Sequence, residues 1–270
     1  MNDIKIITFD TIQKEIRSKT LLWLFVLNIL FILIVTGGIN YVSSLVADMG
    51  VPMDMKNKSI FIISFFISFW SGILGIIFGG NCIRSDEDEG VLNQFLSLPI
   101  SRFEYLAGRA IGALSISFSF FLILNIFALL IVTISGDDFP FLAATPLGIL
   151  VSLFSLLGLI LISMLISMHS GKIISFITTM FIYFFLTFSE SIFYRVEFSE
   201  MFKELNLFRG VALLFYSILP HISTLGNVSR KLMIGSDYEG INYMYEFFHY
   251  SLTLGLLIFV MHLIFSKKEI

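Results

Sequence analysis

Charged residues are scarce in this sequence, and that scarcity decides the class of protein. Only 14% of the 270 residues are Asp, Glu, Lys or Arg and 57% are hydrophobic, whereas a soluble domain carries roughly 25% charged residues. An ordinary soluble domain is therefore excluded, and the composition predicts an integral membrane protein. The net charge of −3 is spread along the chain and gives no sign of a nucleic-acid-binding surface.

Cysteine is nearly absent as well. Because Cys82 is the only one, it cannot form an internal disulfide, and a cytosolic position suits its reduced thiol. A polar lead of about twenty residues precedes the first apolar run, and no small-residue cleavage pattern follows it. We therefore expect this run to remain as a span rather than to be removed as a signal peptide.

The sequence also lacks the common catalytic motifs. No Gly-x-x-x-x-Gly-Lys-Ser/Thr stretch occurs, so we do not expect the chain to hydrolyse ATP by itself. The four histidines are scattered without metal-ligand spacing, and no serine lies in a Gly-x-Ser-x-Gly turn, so neither a metal site nor protease chemistry is expected. Asp86-x-Asp88-x-Gly90 superficially resembles a calcium loop, but the glycine at its sixth position and the glutamate at its twelfth are missing.

Long hydrophobic runs, in contrast, are plentiful. Six of them are near the ~20 residues needed to cross ~30 Å of hydrocarbon, at 21–42, 60–81, 108–134, 146–168, 173–193 and 247–265. Most flanking cations fall on one side of the predicted membrane, whereas the short loops of the other side hold only Lys56 and Lys58. The cations on the richer side are Lys5, Lys14, Arg17, Lys19, Arg84, Arg102, Arg109, Lys172, Lys267 and Lys268. The positive-inside rule therefore predicts that both termini lie in the cytoplasm.

Residues 194–246 are harder to place. They contain an apolar stretch from Leu205 to Ile222, but Arg209 and Pro220 interrupt it, and a seventh span would put Lys267 outside. We expect an outer re-entrant segment of half-inserted helices, broken at Pro220, which would serve as an outer gate. Its acids are expected to face water: Glu197, Glu200, Glu204, Asp237, Glu239 and Glu246. A seventh crossing stays open, because the segment also holds cations: Arg195, Lys203, Arg209, Arg230 and Lys231.

The first nineteen residues have an amphipathic pattern. Phe9, Ile12 and Ile16 lie on one helical face and charged residues on the others, which predicts a helix lying in the membrane interface. The alternative is a plain positively charged flank to the first span.

Small and polar residues within the spans predict close helix packing. Gly75 and Gly79 form a Gly-x-x-x-Gly step that Gly72 extends, and it allows close contact within the subunit or across a dimer. Gly148, Ser152 and Ser155 line one face of the fourth span. The candidates for a functional polar group deep inside the spans are Asn28, Asn125 and Glu190. We interpret them as structural hydrogen-bonding groups, which leaves proton- or sodium-driven transport as the weaker alternative.

Residues 82–107 are the one long polar interruption on the predicted cytoplasmic side. Four acids, Asp86 to Glu89, precede Gly90, and an apolar stripe with helical spacing follows. That helix should end before Pro99, and Ser101 and Glu104 form a capping box from which the next helix starts. The pattern predicts helix, sharp corner and helix at the membrane surface.

This elbow resembles the type-2 family of ATP-binding-cassette (ABC) exporter permeases. In that family the second span is followed by an acid-Gly-Thr-Leu stretch, a Leu-Leu-Ser-x-Pro turn, an Arg, and Gly-Lys or Gly-Arg. The matching residues are Glu89-Gly90-Val91-Leu92, Phe95-Leu96-Ser97-Leu98-Pro99, Arg102 and Gly108-Arg109. Val91 departs from the usual threonine. The acidic run is also similar to that of one member, the permease of the nitrous-oxide-reductase maturation transporter.

The resemblance implies an all-α permease of six transmembrane helices forming one domain over 1–270. Its parts would be an interface helix at 1–19, a cytoplasmic coupling elbow at 82–107 and an outer re-entrant segment at 194–246. It further implies a bacterial cytoplasmic membrane, a second permease copy or paralogue, contact with membrane lipid, and a separate ABC ATPase subunit that binds ATP and Mg, with no cofactor in this chain. The residues expected to contact the ATPase are Glu89, Gly90, Leu98, Pro99, Ile100, Ser101, Arg102, Phe103, Glu104 and Arg109. A membrane scaffold or channel outside the ABC class, whose elbow only anchors a cytosolic partner, is the alternative, and an intramembrane enzyme is a third.

Overall fold

The computed structural model describes residues 2–17, 19–48, 56–97, 99–134, 145–193, 206–234 and 243–267. These residues form helices joined by turns, and no strand occurs among them. In chain order the helices are α1 (Asn2–Arg17), α2 (Lys19–Asp48), α3 (Lys56–Asp88), α4 (Leu92–Ser97), α5 (Arg102–Ile134), α6 (Thr145–Ser167), α7 (Lys172–Phe193), α8 (Leu207–Ile218), α9 (Ile222–Ile234) and α10 (Tyr243–Ser266).

Six of these helices are long and apolar enough to cross a membrane, namely α2, α3, α5, α6, α7 and α10. They coincide with the six predicted hydrophobic runs, so the prediction of an all-helical chain with six candidate spans is confirmed. Helices α3 and α5 have 33 residues each, about 50 Å at 1.5 Å per residue. Because the hydrocarbon core is only ~30 Å thick, both helices are longer than a perpendicular crossing requires. Asp88 ends α3 and Arg102 begins α5, on the two sides of the polar connection between them.

Helices α3 and α6 pack closely along the predicted glycine seam. A Cβ atom added at Gly79 would lie 2.7 Å from the carbonyl oxygen of Ile160, and one at Gly75 would lie 3.3 Å from the Ile160 side chain. The Ser163 hydroxyl donates across the same seam to the carbonyl oxygen of Ile76, at 2.6 Å. The seam, which also includes Gly72 against Leu159, therefore lies within the chain.

Helix α9 packs against the amino-terminal half of α6. The Ser229 hydroxyl donates to the carbonyl oxygen of Gly148 at 2.7 Å, and a Cβ atom at Gly148 would lie 2.7 Å from the Ser229 carbonyl oxygen. Further along α6, the Ser155 hydroxyl donates to the carbonyl oxygen of Ile222 at 3.0 Å. Two of the small residues singled out on the fourth span, Gly148 and Ser155, thus contact α9 directly.

Helix α1 packs against the start of α5, through a second glycine pair. Added Cβ atoms would lie 2.8 Å from Ile7 at Gly108 and 2.6 Å from Thr11 at Gly112. The opposite face of α1 leaves its large apolar side chains uncovered by the protein: Ile6, Phe9 and Ile16. Ile12, expected on that face, packs partly against the core instead.

Helices α8 and α9 form a bent pair. Their axes differ by 66° at a break of a few residues, so the chain has up to seven spans if the pair crosses as one. The Asn206 side chain caps α8 by accepting the Arg209 N–H at 2.8 Å. Pro220 is buried at the break, where its missing N–H and fixed φ prevent a continuous helix.

Candidate functional site

The corner between α3 and α5 begins with a glycine in the left-handed region. Gly90 has φ +68°, its N–H donates to the Glu87 carbonyl oxygen at 3.0 Å, and the Val91 N–H donates to the Asp86 carbonyl oxygen at 2.9 Å. This pair of bonds is the Schellman motif that ends many helices. Asp86, Glu87 and Asp88 therefore form the last turn of α3, and Glu89 follows it directly.

Acids at the carboxyl end of a helix are disfavoured by the helix dipole, so cations must offset them. Arg84 lies 3.0 Å from both the Glu87 and Asp88 carboxylates, and the Lys172 ammonium lies 3.3 Å from Asp88. From α1, the Lys14 ammonium lies 2.9 Å from Glu89. The acidic run is thus paired within the chain.

The far side of the corner follows the predicted pattern. Helix α4 ends at Ser97, before Pro99. The Ser101 N–H donates to the Glu104 carboxylate at 3.0 Å, and the Glu104 N–H donates to the Ser101 hydroxyl at 3.2 Å. The predicted capping box is therefore confirmed, and α5 begins at Arg102.

A group of mostly buried polar side chains, which we call the corner cluster, lies behind this turn. It consists of Asp10, Thr11, Asp86, Tyr105 and Arg109. Arg109 is 1% exposed, and Asp86 is also 1% exposed. The Arg109 guanidinium lies 2.5 Å from one Asp86 oxygen, to which the Tyr105 hydroxyl donates at 2.6 Å. Its Nη1 donates to Asp10 at 2.9 Å and to the Thr11 hydroxyl at 2.8 Å, so α1, α3 and α5 meet at one buried cation.

Burial around this cluster also affects a neighbouring carboxyl group on α1. Glu15 is buried, and burial raises its pKa to about 7, against the opposing effect of Lys14 and Arg109. A large part of the Glu15 population is therefore neutral near pH 7.

Arg102 joins the corner to the last helix. Its Nη1 donates to the carbonyl oxygens of Phe265 at 2.8 Å and Ser266 at 2.6 Å, and a cation suits that carboxyl end of α10. The Tyr105 ring stacks on Phe265 with centroids 5.6 Å apart. Arg102, expected to face an ATPase, thus has partners within the chain.

The residues predicted to contact a partner fall into three groups. Exposed ones, which we call the corner ridge, are Glu89, Gly90, Pro99, Ser101 and Phe103. Half-buried ones are Ile100, Arg102 and Glu104. Arg109 is buried, which places it behind the ridge instead of on it, and Leu98 lies outside the described residues.

Sequence reasoning missed several contributors to the corner. Asp10 and Tyr105 were not singled out, because their partners lie 99 and 19 residues away along the chain. The one available signal was the second glycine step, Gly108 and Gly112, which lies beside Arg109 and predicts close packing of another helix.

One expectation at the other end of the bundle is wrong. Glu246 was expected to face water, yet it is 5% exposed and its carboxylate lies 2.6 Å from His221 Nδ1. Next to this pair, the His221 and His249 rings stack with centroids 4.0 Å apart, a contact that their spacing in the sequence does not indicate. The other acids of 194–246 lie outside the described residues.

The fold and its six apolar helices define a class: this is a multi-pass α-helical membrane protein. No protein-family model matches the chain, and no curated protein matches it.

Proposed function

We propose that this chain is the membrane-spanning permease subunit of an ABC exporter in a bacterial cytoplasmic membrane. It moves a substrate across that membrane with ATP that a separate ATPase subunit hydrolyses. The observation that carries the proposal is the corner itself, a short helix between two spans that is fixed from behind and open in front. The elbow residues quoted above supply the family resemblance.

Rigidity of the corner supports a role in transmitting force. The corner cluster holds α1, α3 and α5 together through buried, hydrogen-bonded charges, and Arg102 adds the end of α10. A flexible loop would absorb a displacement imposed by a partner. A corner fixed to four helices passes the displacement on to the bundle.

The corner ridge is the proposed docking surface. Phe103 is 49% exposed beside the exposed Pro99 and Ser101, and the acidic end of α3 flanks them. Apolar anchors inside a charged rim are the usual composition of a protein interface. Between α6 and α7 only four residues intervene, so that connection offers little competing surface. ATP and Mg would lie on the partner.

The uncovered face of α1 supports its assignment as an interface helix. Ile6, Phe9 and Ile16 are exposed on it, and lipid is the solvent that suits them, while Ile7 and Thr11 hold the other face to α5. Apolar area buried in the headgroup region stabilises such a helix.

The contacts of α8 and α9 support a re-entrant segment instead of a seventh span. Ile222 meets Gly158 near the middle of α6, and Ser229 meets Gly148 near its start. The Ser189 hydroxyl of α7 donates to the α8 carbonyl of Ala212. These contacts fall on the first half of α6 and the end of α7, so the pair stays at one end of the bundle. The positive-inside rule, applied to the lysines and arginines along the chain, supports an outer position for that end.

The decisive experiment is to capture the partner. A photo-crosslinking amino acid at Ser101, on the exposed turn, should trap a protein with a Gly-x-x-x-x-Gly-Lys-Ser/Thr loop in the native host. Phe103→Ala should then reduce co-purification of that ATPase. Phe127→Ala is a matched control, because Phe127 is also an exposed phenylalanine of α5 but lies about seven turns further along the helix. It should leave binding intact.

Two outcomes would overturn the proposal. Trapping only proteins without a nucleotide-binding loop would favour the scaffold or channel. If the wild type and Phe103→Ala both insert in the membrane and co-purify equal amounts of the ATPase, the corner ridge is not the docking surface. A second copy or a paralogue of the permease should appear in the same purified complex.

A further inference from the structure

Three ionisable side chains are buried together at the break between α8 and α9. Glu190 comes from α7, His221 from the break and Glu246 from α10, and they are 2%, 0% and 5% exposed. We call them the break cluster. Ionisable groups buried among spanning helices are rare and are candidates for functional positions, and the docking of a partner at the corner does not use them.

Glu190 has a structural task within the cluster. Its carboxylate accepts the N–H groups of Ser223 at 3.2 Å and Thr224 at 2.5 Å, and the Thr224 hydroxyl at 2.7 Å. It therefore caps the amino terminus of α9, where a negative charge also suits the helix dipole. This agrees with the interpretation of Glu190 as a structural hydrogen-bonding group.

The geometry around His221 fixes where its protons lie. His221 Nε2 is 2.8 Å from the carbonyl oxygen of Tyr216. A carbonyl oxygen only accepts, so Nε2 must carry hydrogen. His221 Nδ1 is 2.6 Å from Glu246 Oε2, and this contact is a hydrogen bond only if one further proton lies between the two atoms.

We infer that the His221–Glu246 pair is a proton-binding site that locks the break between α8 and α9 to α10. The bound proton resides either on Nδ1, giving imidazolium and carboxylate, or on Glu246, giving two neutral groups. When it leaves to water, the Nδ1 lone pair faces a carboxylate, and two acceptors repel each other at that distance. Release of the proton therefore opens the contact.

Other groups face the pair from each neighbouring helix. Tyr216 of α8 stacks on the His221 ring at 4.1 Å. From α10, the His249 ring lies 4.0 Å from His221, and Tyr245 lies 6.0 Å from His249. Glu190 adds a second carboxyl group from α7. His249 donates towards the carbonyl oxygen of Ser217 at 3.1 Å and is the neighbouring group whose titration must be separated from that of the pair.

The test measures the distance between α8 and α10 as pH changes. Spin labels are placed at Leu214 and Leu252, which are exposed on the two helices, in a Cys82→Ala background reconstituted in lipid nanodiscs. In otherwise wild-type protein, the distance distribution should be narrow at acidic pH. A longer-distance population should grow at alkaline pH and reverse on acidification.

Two variants separate the pair from its neighbours. Glu246→Gln presents an amide N–H to Nδ1 without a titrating proton, so its distances should stay short at every pH. His249→Gln should keep the wild-type response. An unchanged wild-type distance, a Glu246→Gln protein that follows the wild type, or loss of the response in His249→Gln would each overturn the inference.

A second measurement uses only the wild type, so it remains possible if the Glu246→Gln protein does not insert in the membrane. Amide hydrogen exchange of residues 216–224 in the wild type, corrected for the intrinsic effect of pH, should accelerate at alkaline pH relative to α3. Equal protection at both pH values would refute the proton-dependent lock. Neither experiment involves an ATPase, so failure of the lock and failure of the proposed function are distinguishable.

Discussion

The corner cluster and the break cluster both hide charged groups between helices, but they use different chemistry. At the corner the central cation is Arg109, whose guanidinium stays protonated at any physiological pH. At the break the central group is His221, an imidazole that changes charge in that range. The corner therefore keeps its helices in one arrangement across the physiological pH range. The break between α8 and α9 has two arrangements, one with the proton bound and one without it.

Replacing Arg109 should produce the largest effect. Arg109→Ala leaves Asp86 buried without its main partner and should lower the free energy of unfolding by about 3 to 5 kcal/mol. This loss of stability should be similar at acidic pH, where histidine is charged, and at alkaline pH, where histidine is neutral. Unfolding of the purified protein in detergent would measure it.

Two control variants test whether the loss in Arg109→Ala comes from the buried charge. Arg17→Ala, at an exposed arginine of α1, should change stability by no more than about 0.5 kcal/mol. The double variant Asp86→Asn with Arg109→Gln should lose less than the two single changes added together, because no buried charge is left unpaired. Equal losses in Arg17→Ala and Arg109→Ala would contradict a buried cluster.

Glu15 tests whether anything at the corner titrates. Its pKa is about 7 in the folded protein and 4.5 otherwise, so the folded state holds the proton more tightly. Stability of the wild type should fall as pH rises from 4.5 to 7. Glu15→Gln removes that loss, and its advantage should grow over the same window to about 1 to 3 kcal/mol. An advantage independent of pH would contradict the burial of an ionisable group here.

Glycine seams should respond alike in the two regions. Gly112→Ala forces a Cβ to within 2.6 Å of Thr11, and Gly148→Ala forces one to within 2.7 Å of the Ser229 carbonyl oxygen. Each should cost about 1 to 3 kcal/mol through overpacking. Gly255→Ala, which has open space around it, is the matched control and should be neutral or stabilising. Thermal unfolding of the three variants would show whether the two seams are equally tight.

The smallest effect is expected at the capping box. Ser101→Ala removes the hydroxyl that accepts the Glu104 N–H and should cost about 0.5 to 2 kcal/mol. Hydrogen exchange should rise in the first turn of α5 and not at the start of α9. Unchanged protection of residues 102–105 would show that the turn is held by the corner cluster alone.

Local signals predicted the parts of this protein that depend on neighbouring residues. The capping box at Ser101 and the six spans follow from contacts within a few residues, or from the length of an apolar run. The clusters depend on pairs far apart in sequence: Lys14 lies 72 residues from Asp86, and His221 lies 25 residues from Glu246. Helical periodicity shows which face of a helix is apolar, but not which polar residue on another helix that face will meet. That is why Glu246 was assigned to water.

The seam between α1 and α5 also sets an order of events during synthesis. Thr8 donates its hydroxyl to the carbonyl oxygen of Gly108, 100 residues later in the chain. At about 5 to 20 residues per second, the ribosome needs roughly 5 to 20 seconds to make that distance. Helix α1 must therefore wait for α5 before it can dock. In the proposed interface position, Ile6, Phe9 and Ile16 would hold α1 on lipid during that interval, until its protein partner is made.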